Sequence, residues 1–251
     1  MSSQAILQAR MKSSRLPGKV MMELNGRPMI YWQIQRILQS EAIENLVVAT
    51  STDSSDDILA NYLATHGVAV FRGSLLDVHS RFLAIVNINP EVETFVRLTA
   101  DCPLVMPDLL TDMLHQFKET NFDYFTNCIN PTYPDGLDIE IFSRDAFLRM
   151  SLGNLSDLER EHVTLKFRQP SQPFRVGEKN HSTDLSSMRW TVDYEEDFEF
   201  VKNIFKNFVG KESTFSLQDV LNLLQSHPEL NTQLPGTLRN IALEESGTDA
   251  V

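Results

Sequence analysis

Cysteine is scarce: Cys102 and Cys128 are the only two in 251 residues. They supply neither a disulfide framework nor the ligand pattern of a structural zinc site, and they suit a reducing cytoplasm. No apolar run approaches the roughly 18 to 20 residues that span a bilayer, and no basic segment leads into an apolar one at the N-terminus. The expectation is a soluble, cytoplasmic protein with no signal peptide and no membrane partner. Cations are in deficit, because 22 Lys and Arg against 34 Asp and Glu leave a net charge of −12. So acidic a chain lacks the cationic face that nucleic acid demands. Several catalytic signatures are also missing. No Gly-x-Gly-x-x-Gly follows a strand-like segment, which disfavours a dinucleotide oxidoreductase, and the six histidines form no His-Glu-x-x-His pair. Gly18-Lys19 is followed by Val20, and Ser13 stands where a Walker loop needs its first glycine.

What the chain does have is apolar residues in strand and helix periods. Hydrophobic residues make up 42%, enough for one large α/β core. Ala5-Ile6-Leu7, Leu46-Val47-Val48-Ala49-Thr50, Val68-Ala69-Val70-Phe71 and Thr94-Phe95-Val96-Arg97-Leu98 read as buried parallel strands. Helical spacing lies between them: Ile30, Ile34, Ile37 and Leu38 after Pro28, a segment reaching Thr65, another from Ser74 to Val86, and one from Pro107 to Lys118. Alternating strands and helices predict a single doubly wound, mostly parallel sheet flanked by helices. The second half is less regular. It predicts strands at Tyr124-Phe125-Thr126, at 137–142 and at Arg189-Trp190-Thr191-Val192, with helices at 143–151, 157–168 and 195–207. The expected division is an α/β domain over 1–208 and a helical C-terminal extension with a frayed tail over 209–251.

In such a sheet, ligands gather beyond the carboxyl ends of the strands. The polar residues of interest fall there. Arg10, Lys12, Arg15 and Lys19 follow the first strand in a loop with no acidic residue, Arg72-Gly73-Ser74 follows the third, and Asp101 and Asp193 follow the fourth and the last. Cations, hydroxyls and a glycine delivered to the front of a helix suit a phosphate ligand. Two strand-end carboxylates facing them suit Mg²⁺, which prefers oxygen ligands. Each has a plainer reading: the loop as a solvated basic surface, Asp101 as a turn cap before Cys102-Pro103, Asp193 as the N-cap of the next helix. Cys102 has no base beside it and reads as a small buried residue.

The segment from Gln8 to Lys19 resembles the signature loop of the cytidylyltransferases that activate acidic sugars, relatives of the CMP-sialic acid and CMP-KDO synthetases. The likeness is strongest to the spore coat polysaccharide biosynthesis protein F subgroup. It continues through Phe71-Arg72-Gly73-Ser74, Asp77-Val78, Arg97 to Leu104, Tyr133 to Asp138, Glu159 to Thr164 and Arg189 to Asp193. The resemblance implies the nucleotide-diphospho-sugar transferase type of sheet and transfer of CMP from CTP to an acidic sugar of the ulosonic-acid type. Pyrophosphate would be released, in surface polysaccharide biosynthesis. It places Arg10, Lys12, Ser13, Arg15 and Lys19 on the triphosphate, the backbone of Leu7 to Ala9 at the cytosine, and Arg72, Ser74 and Arg81 on base, ribose and phosphate. Asp101 and Asp193 match the metal-binding acids, with Mg²⁺ as cofactor, and Arg10, Lys19 and Asp101 are the implied catalytic set. Asp135, Asp138, Glu140, Arg160, Glu161 and His162 fall in the substrate region, and a homodimer is implied. Ala100 stands where the family commonly has glycine. A glycosyltransferase of the same architecture, a non-catalytic nucleotide-binding subunit and transfer of another nucleotide are the rival readings. The absence of an Asp-x-Asp after the fourth strand speaks against the first.

Overall fold

Ala5, Ile6 and Leu7 are each wholly buried, and they face alternate sides of the sheet: Ala5 and Leu7 join one apolar core, Ile6 the other. The same alternation recurs at Val47, Val48 and Ala49 and at Phe95 and Val96. A strand that must be apolar on both faces reads as a continuous hydrophobic run, which explains why these segments were legible. In the computed structural model, residues 2–169 and 173–231 are described.

The strands are β1 (Ser3–Gln8), β2 (Glu23–Leu24), β3 (Arg27–Pro28), β4 (Asn45–Ser51), β5 (Ala69–Gly73), β6 (Thr94–Thr99), β7 (Tyr124–Thr126), β8 (Glu140–Ser143) and β9 (Val176–Glu178). The helices are α1 (Met29–Ile37), α2 (Asp57–Thr65), α3 (Val78–Ile88), α4 (Pro107–Glu119), α5 (Arg144–Ser151), α6 (Asp157–Glu161), α7 (Glu195–Asn207) and α8 (Leu217–Ser226). Seven strands form one sheet in the order β5-β4-β1-β6-β8-β7-β9, and β2 and β3 form a small hairpin. The first four of that order are mutually parallel; β8 runs antiparallel to β6 and β7. One layer packs α1, α2, α4 and α7 on the sheet, the other α3 and α5. Phe215 and Val220 belong to the first of these cores, so the described part of the C-terminal segment packs on the main sheet. The tail over 232–251 lies outside the described residues.

The chain builds outward from β1 to β4 and β5, then returns to lay β6 on the other side of β1. That reversal opens a crevice beyond the carboxyl ends of β1 and β6. Ala100 N–H donates to the Gln8 carbonyl at 2.9 Å, so the two strands end side by side.

Four expectations shift. The helix read over 157–168 ends at Glu161, and Leu165–Arg168 forms a separate 3-10 turn. The helix read from Ser74 begins at Val78, because the Asp77 carboxylate caps it by accepting from Ser80 N–H at 2.8 Å. The strand read over 137–142 pairs only from Glu140, because the Asn127 side chain takes the ladder's place. It donates to the Leu137 carbonyl at 2.8 Å and accepts from Ile139 N–H at 2.9 Å. The strand read at Arg189 to Val192 stays outside the sheet and makes a single bridge, Asp135 to Arg189. Its backbone is spent otherwise: Val192 N–H donates to the Asp101 carbonyl at 2.8 Å.

Candidate functional site

Beyond β1 the chain turns at once into the basic loop. Gly18, at φ 76°, takes a left-handed conformation that would strain a residue with a side chain, and its N–H donates to the Met11 carbonyl at 2.8 Å. This closes the loop and delivers Lys19 back toward the sheet. The Lys19 ammonium lies 2.7 Å from the Val192 carbonyl, 3.1 Å from Asp193 Oδ1 and 3.5 Å from Asp101 Oδ2. Arg15 approaches the same Asp193 oxygen at 3.0 Å, with its guanidinium 5.5 Å from the Tyr194 ring centre. Residues 15, 19, 101 and 193 therefore converge, although 174 positions separate Lys19 from Asp193.

The backbone explains why. Val192 N–H and the Thr191 hydroxyl both donate to the Asp101 carbonyl, pinning the segment before Asp193 against the end of β6. Arg189 then pairs with Asp193 Oδ2 at 2.8 Å, Asp197 Oδ1 at 3.2 Å and Asp135 Oδ2 at 3.0 Å. Asp135 is thus committed to Arg189 and lines none of the cavities described below.

Burial acts on all three charges, and their neighbours outweigh it. It lowers the Lys19 ammonium, but Asp101 and Asp193 bring it above its ordinary value. It raises the Asp101 carboxyl, but Lys19 leaves it lowered overall. Asp193, raised by burial and lowered by Lys19 and Arg15, comes to about 2. Both carboxylates are therefore anionic at neutral pH. Cys102 beside them is pushed well up by burial and by Asp101, so its thiol is inert.

A cavity of about 300 Å³ opens over this cluster. Its walls include Ala9, Arg10, Lys12, Ser13 and Arg15 on one side and Arg81, Asp101, Glu161 and Asp193 on the other. Arg81 is 1% exposed; it donates to the Ala49 carbonyl at 3.1 Å and keeps a buried Nε without a partner. Burial and the nearby Arg10 bring its guanidinium down to about 10. A second cavity of about 240 Å³ shares Gln8, Arg10, Thr99, Asp101 and Glu161 with the first. Asp138, Glu140 and His162 line it, with Arg97 and Arg168. A third, of about 340 Å³, is reached past Arg10 and Glu161 and holds Arg160, which pairs with Asp77 at 2.8 Å. Arg10 and Glu161 stand where all three meet.

The sequence-derived candidates divide accordingly. The loop cations, Ser13, Arg81 and both strand-end aspartates share the first cavity; Asp138, Glu140, Glu161 and His162 share the second. Glu140 is only 4% exposed and is held by Arg97, Arg168, Tyr124 and Thr164, which leaves it as the counter-ion of two arginines. The His162 ring is lowered by burial and by Arg97, and its buried Nε2 has no partner. The Leu7 side chain is wholly buried in the core. Arg72 turns to the β4–α2 connection, donating to the carbonyls of Ser51 and Asp53 and pairing with Asp57 at 2.7 Å. The Ser74 hydroxyl accepts from Asp77 N–H at 3.0 Å, at the start of α3. Neither Arg72 nor Ser74 lines any of these three cavities. Arg97, Arg168 and Asp56 carried no site role in the sequence, although an arginine inside the apolar strand Phe95-Val96-Arg97-Leu98 was a visible signal that a buried partner must exist.

The donor set suits a hard divalent cation. Among the described residues no cluster of three or more His, Cys, Asp or Glu is arranged to hold a metal. Two carboxylates do face the cavity, and Mg²⁺ is commonly held by one or two carboxylates plus substrate phosphates. Asp101 is the more open, with its side chain 33% exposed against 17% for Asp193, both of whose oxygens are engaged by cations. No helix among the described residues is long and apolar enough to cross a membrane.

The sequence model of a family described as cytidylyltransferase matches residues 4–226. The chain is 34% identical to the spore coat polysaccharide biosynthesis protein SpsF of Bacillus subtilis, covering 91% of this chain and 96% of that one. It is 30% identical over 131 residues to a 3-deoxy-manno-octulosonate cytidylyltransferase of Mesorhizobium japonicum, about half of each chain (50% and 52%). Its structure is similar to that of a cytidylyltransferase from Leptospira borgpetersenii, with a TM-score of 0.87 at 31% identity over 93% of this chain and 98% of the other.

Proposed function

The chain belongs to the cytidylyltransferase family, and on that premise we propose that it transfers CMP from CTP to an acidic sugar of the ulosonic-acid type, releasing pyrophosphate. The observation that carries the reading is the meeting of Lys19 with Asp101 and Asp193 at the mouth of the basic loop. A cavity with that lining offers cations to a triphosphate and an anionic oxygen to a metal.

Arg10, Lys12, Ser13, Arg15 and Lys19 bind the triphosphate, and Arg81 with the Ala9 backbone borders the base. A divalent ion, Mg²⁺ in this reading, would be held by Asp101, with Asp193 beside it, and would draw charge from the phosphoryl oxygens. The acceptor lies in the second cavity. Its hydroxyl oxygen attacks the α-phosphorus, an O–P bond forms, and the bond to the β-phosphate bridging oxygen breaks as pyrophosphate leaves with the electron pair. Glu161, at the junction of the cavities, takes the hydroxyl proton. Its carboxylate makes no hydrogen bond or ion pair among the described residues. His162 and Asp138 orient the sugar, and Arg160, in the adjoining third cavity, receives any part of it that extends past Glu161. Positioning and charge neutralisation supply most of the rate, because phosphoryl chemistry asks little covalent work of the protein. The reading includes a cytoplasmic enzyme, supported by two free, buried thiols, and a homodimer, supported by the family resemblance. The described residues 209–231 serve in it as a packing extension of the catalytic domain.

The test is release of pyrophosphate from CTP and Mg²⁺ with a panel of acidic sugars, 3-deoxy-manno-octulosonate among them. The wild type should turn over at least one of these and no neutral hexose. Asp101→Asn should lower turnover about a hundredfold or more, equal to about 2.7 kcal/mol of barrier. Near-wild-type rates for that variant would remove Asp101 from the reaction.

A further inference from the structure

Asp56 is a carboxylate with 0% exposure, lying 45 positions from the basic loop it touches. It accepts from Met11 N–H at 2.7 Å, from Ser51 N–H at 3.1 Å and from the Ser51 hydroxyl. It makes no ion pair among the described residues and lines none of the three cavities. A buried anion is costly, and one placed behind a loop that attracts anions opposes that loop's charge. Its charge favours the buried Arg81 guanidinium, and its contribution to the loop itself is geometric. Met11 is the pivot of the loop: its N–H goes to Asp56, and its carbonyl receives Gly18 N–H at 2.8 Å, immediately before Lys19. The same turn also holds the next residue, through Lys12 to Asp53 at 2.9 Å.

We propose that Asp56 is a positioning residue for nucleotide binding, its carboxylate fixing the Met11 peptide so that the loop is set in its binding shape before the triphosphate arrives. This rests on the nucleotide reading above. The turn from Ser51 to Asp57 is then the seat of the phosphate loop, and β4 contributes to the site without placing a side chain in it. Preorganisation of this kind acts on affinity more than on the bond-making step.

The experiment compares Asp56→Ala and Asp56→Asn with the wild type. The readouts are CTP binding by calorimetry with Mg²⁺ present, turnover at saturating CTP, and thermal melting. Asparagine keeps an oxygen for Met11 N–H and an amide that can donate to the Ser51 hydroxyl, losing only the bond from Ser51 N–H; alanine keeps nothing. Asp56→Ala should raise the Kd for CTP about tenfold or more, while turnover at saturation falls less than about threefold. Asp56→Asn should bind within about threefold of wild type. A role in stability alone lowers the melting temperature and leaves the Kd of the folded protein unchanged; that result overturns the proposal. Should Asp56→Ala not fold, the wild-type Met11 amide decides by hydrogen exchange without nucleotide. Protection supports the brace, and exchange at an open-loop rate refutes it. A wild type that binds no CTP refutes the nucleotide reading, and with it the proposal.

Discussion

Arg15 shows how one side chain serves two partners. Its guanidinium is 3.0 Å from Asp193 and lies over Tyr194, so it is already oriented before any phosphate is present. A charge-assisted hydrogen bond contributes roughly 1.5–3 kcal/mol. Arg15→Ala should therefore weaken CTP binding by about 10- to 100-fold, with a smaller change in turnover at saturation. An unchanged dissociation constant by calorimetry would take Arg15 off the triphosphate. Glu161→Gln should do the reverse, lowering turnover by about a hundredfold with CTP affinity retained. Loss of affinity with turnover retained would assign Glu161 to nucleotide binding. At this scale the sequence was informative where charge broke an apolar pattern at a strand end, as at Arg10 and Asp101. It was silent about pairing. Nothing local in Tyr-Pro-Asp-Gly says that Asp135 belongs to Arg189, 54 positions on.

Among the elements, the segment from 133 to 138 decides where Asp193 sits. Gly136 adopts φ 106°, and a Cβ there would come 2.4 Å from Thr191 N and 2.5 Å from the Trp190 carbonyl carbon. Both are backbone atoms and cannot swing aside. Gly136→Ala should push the Arg189 to Asp193 segment off β6, destabilising the fold by about 2–4 kcal/mol. A melting temperature within one or two degrees of wild type would contradict that close packing. The turn at Pro134-Asp135-Gly136 was legible from composition; its close contact with a distant backbone was not. The strands β1, β4, β5 and β6 were legible because both their faces are covered and their sequences are continuously apolar. The short edge strand β9 has only Val176-Gly177-Glu178, too little pattern to read. The helix read over 157–168 breaks after Glu161, where Val163 takes φ 28° against its β-branched preference. That strain sits beside His162 and Thr164 in the second cavity.

For the whole molecule, one buried carboxylate ties acid stability to the site. Burial raises the Glu140 carboxyl, and Arg97 and Arg168 reverse this and leave it lowered to about 2 from 4.5. A depressed carboxylate stabilises the fold above its unfolded value and loses that contribution as pH falls. The stability supplied by Glu140, on the order of 3 kcal/mol, should be complete above pH 4.5 and vanish as pH falls through 2. Glu140→Gln leaves two arginines without their counter-ion, so it should be less stable at pH 7 by about 3–5 kcal/mol. Its urea midpoint should also fall less steeply than the wild type's between pH 5 and pH 2. Parallel profiles would show that Glu140 is protonated alike in both states. The fold class was readable from alternating periods, whereas the reversal of strand order that opens the crevice depends on which strands pair, and no local pattern encodes that. The central claim is that the basic loop and Asp101 together hold a metal-bound CTP, and calorimetric titration of CTP with and without Mg²⁺ into wild type and Asp101→Asn tests it most directly. Tight, Mg²⁺-dependent binding by the wild type, with the Mg²⁺ dependence lost in the variant, is the expected result. CTP binding that ignores both Mg²⁺ and Asp101, or no CTP binding at all, would contradict the account.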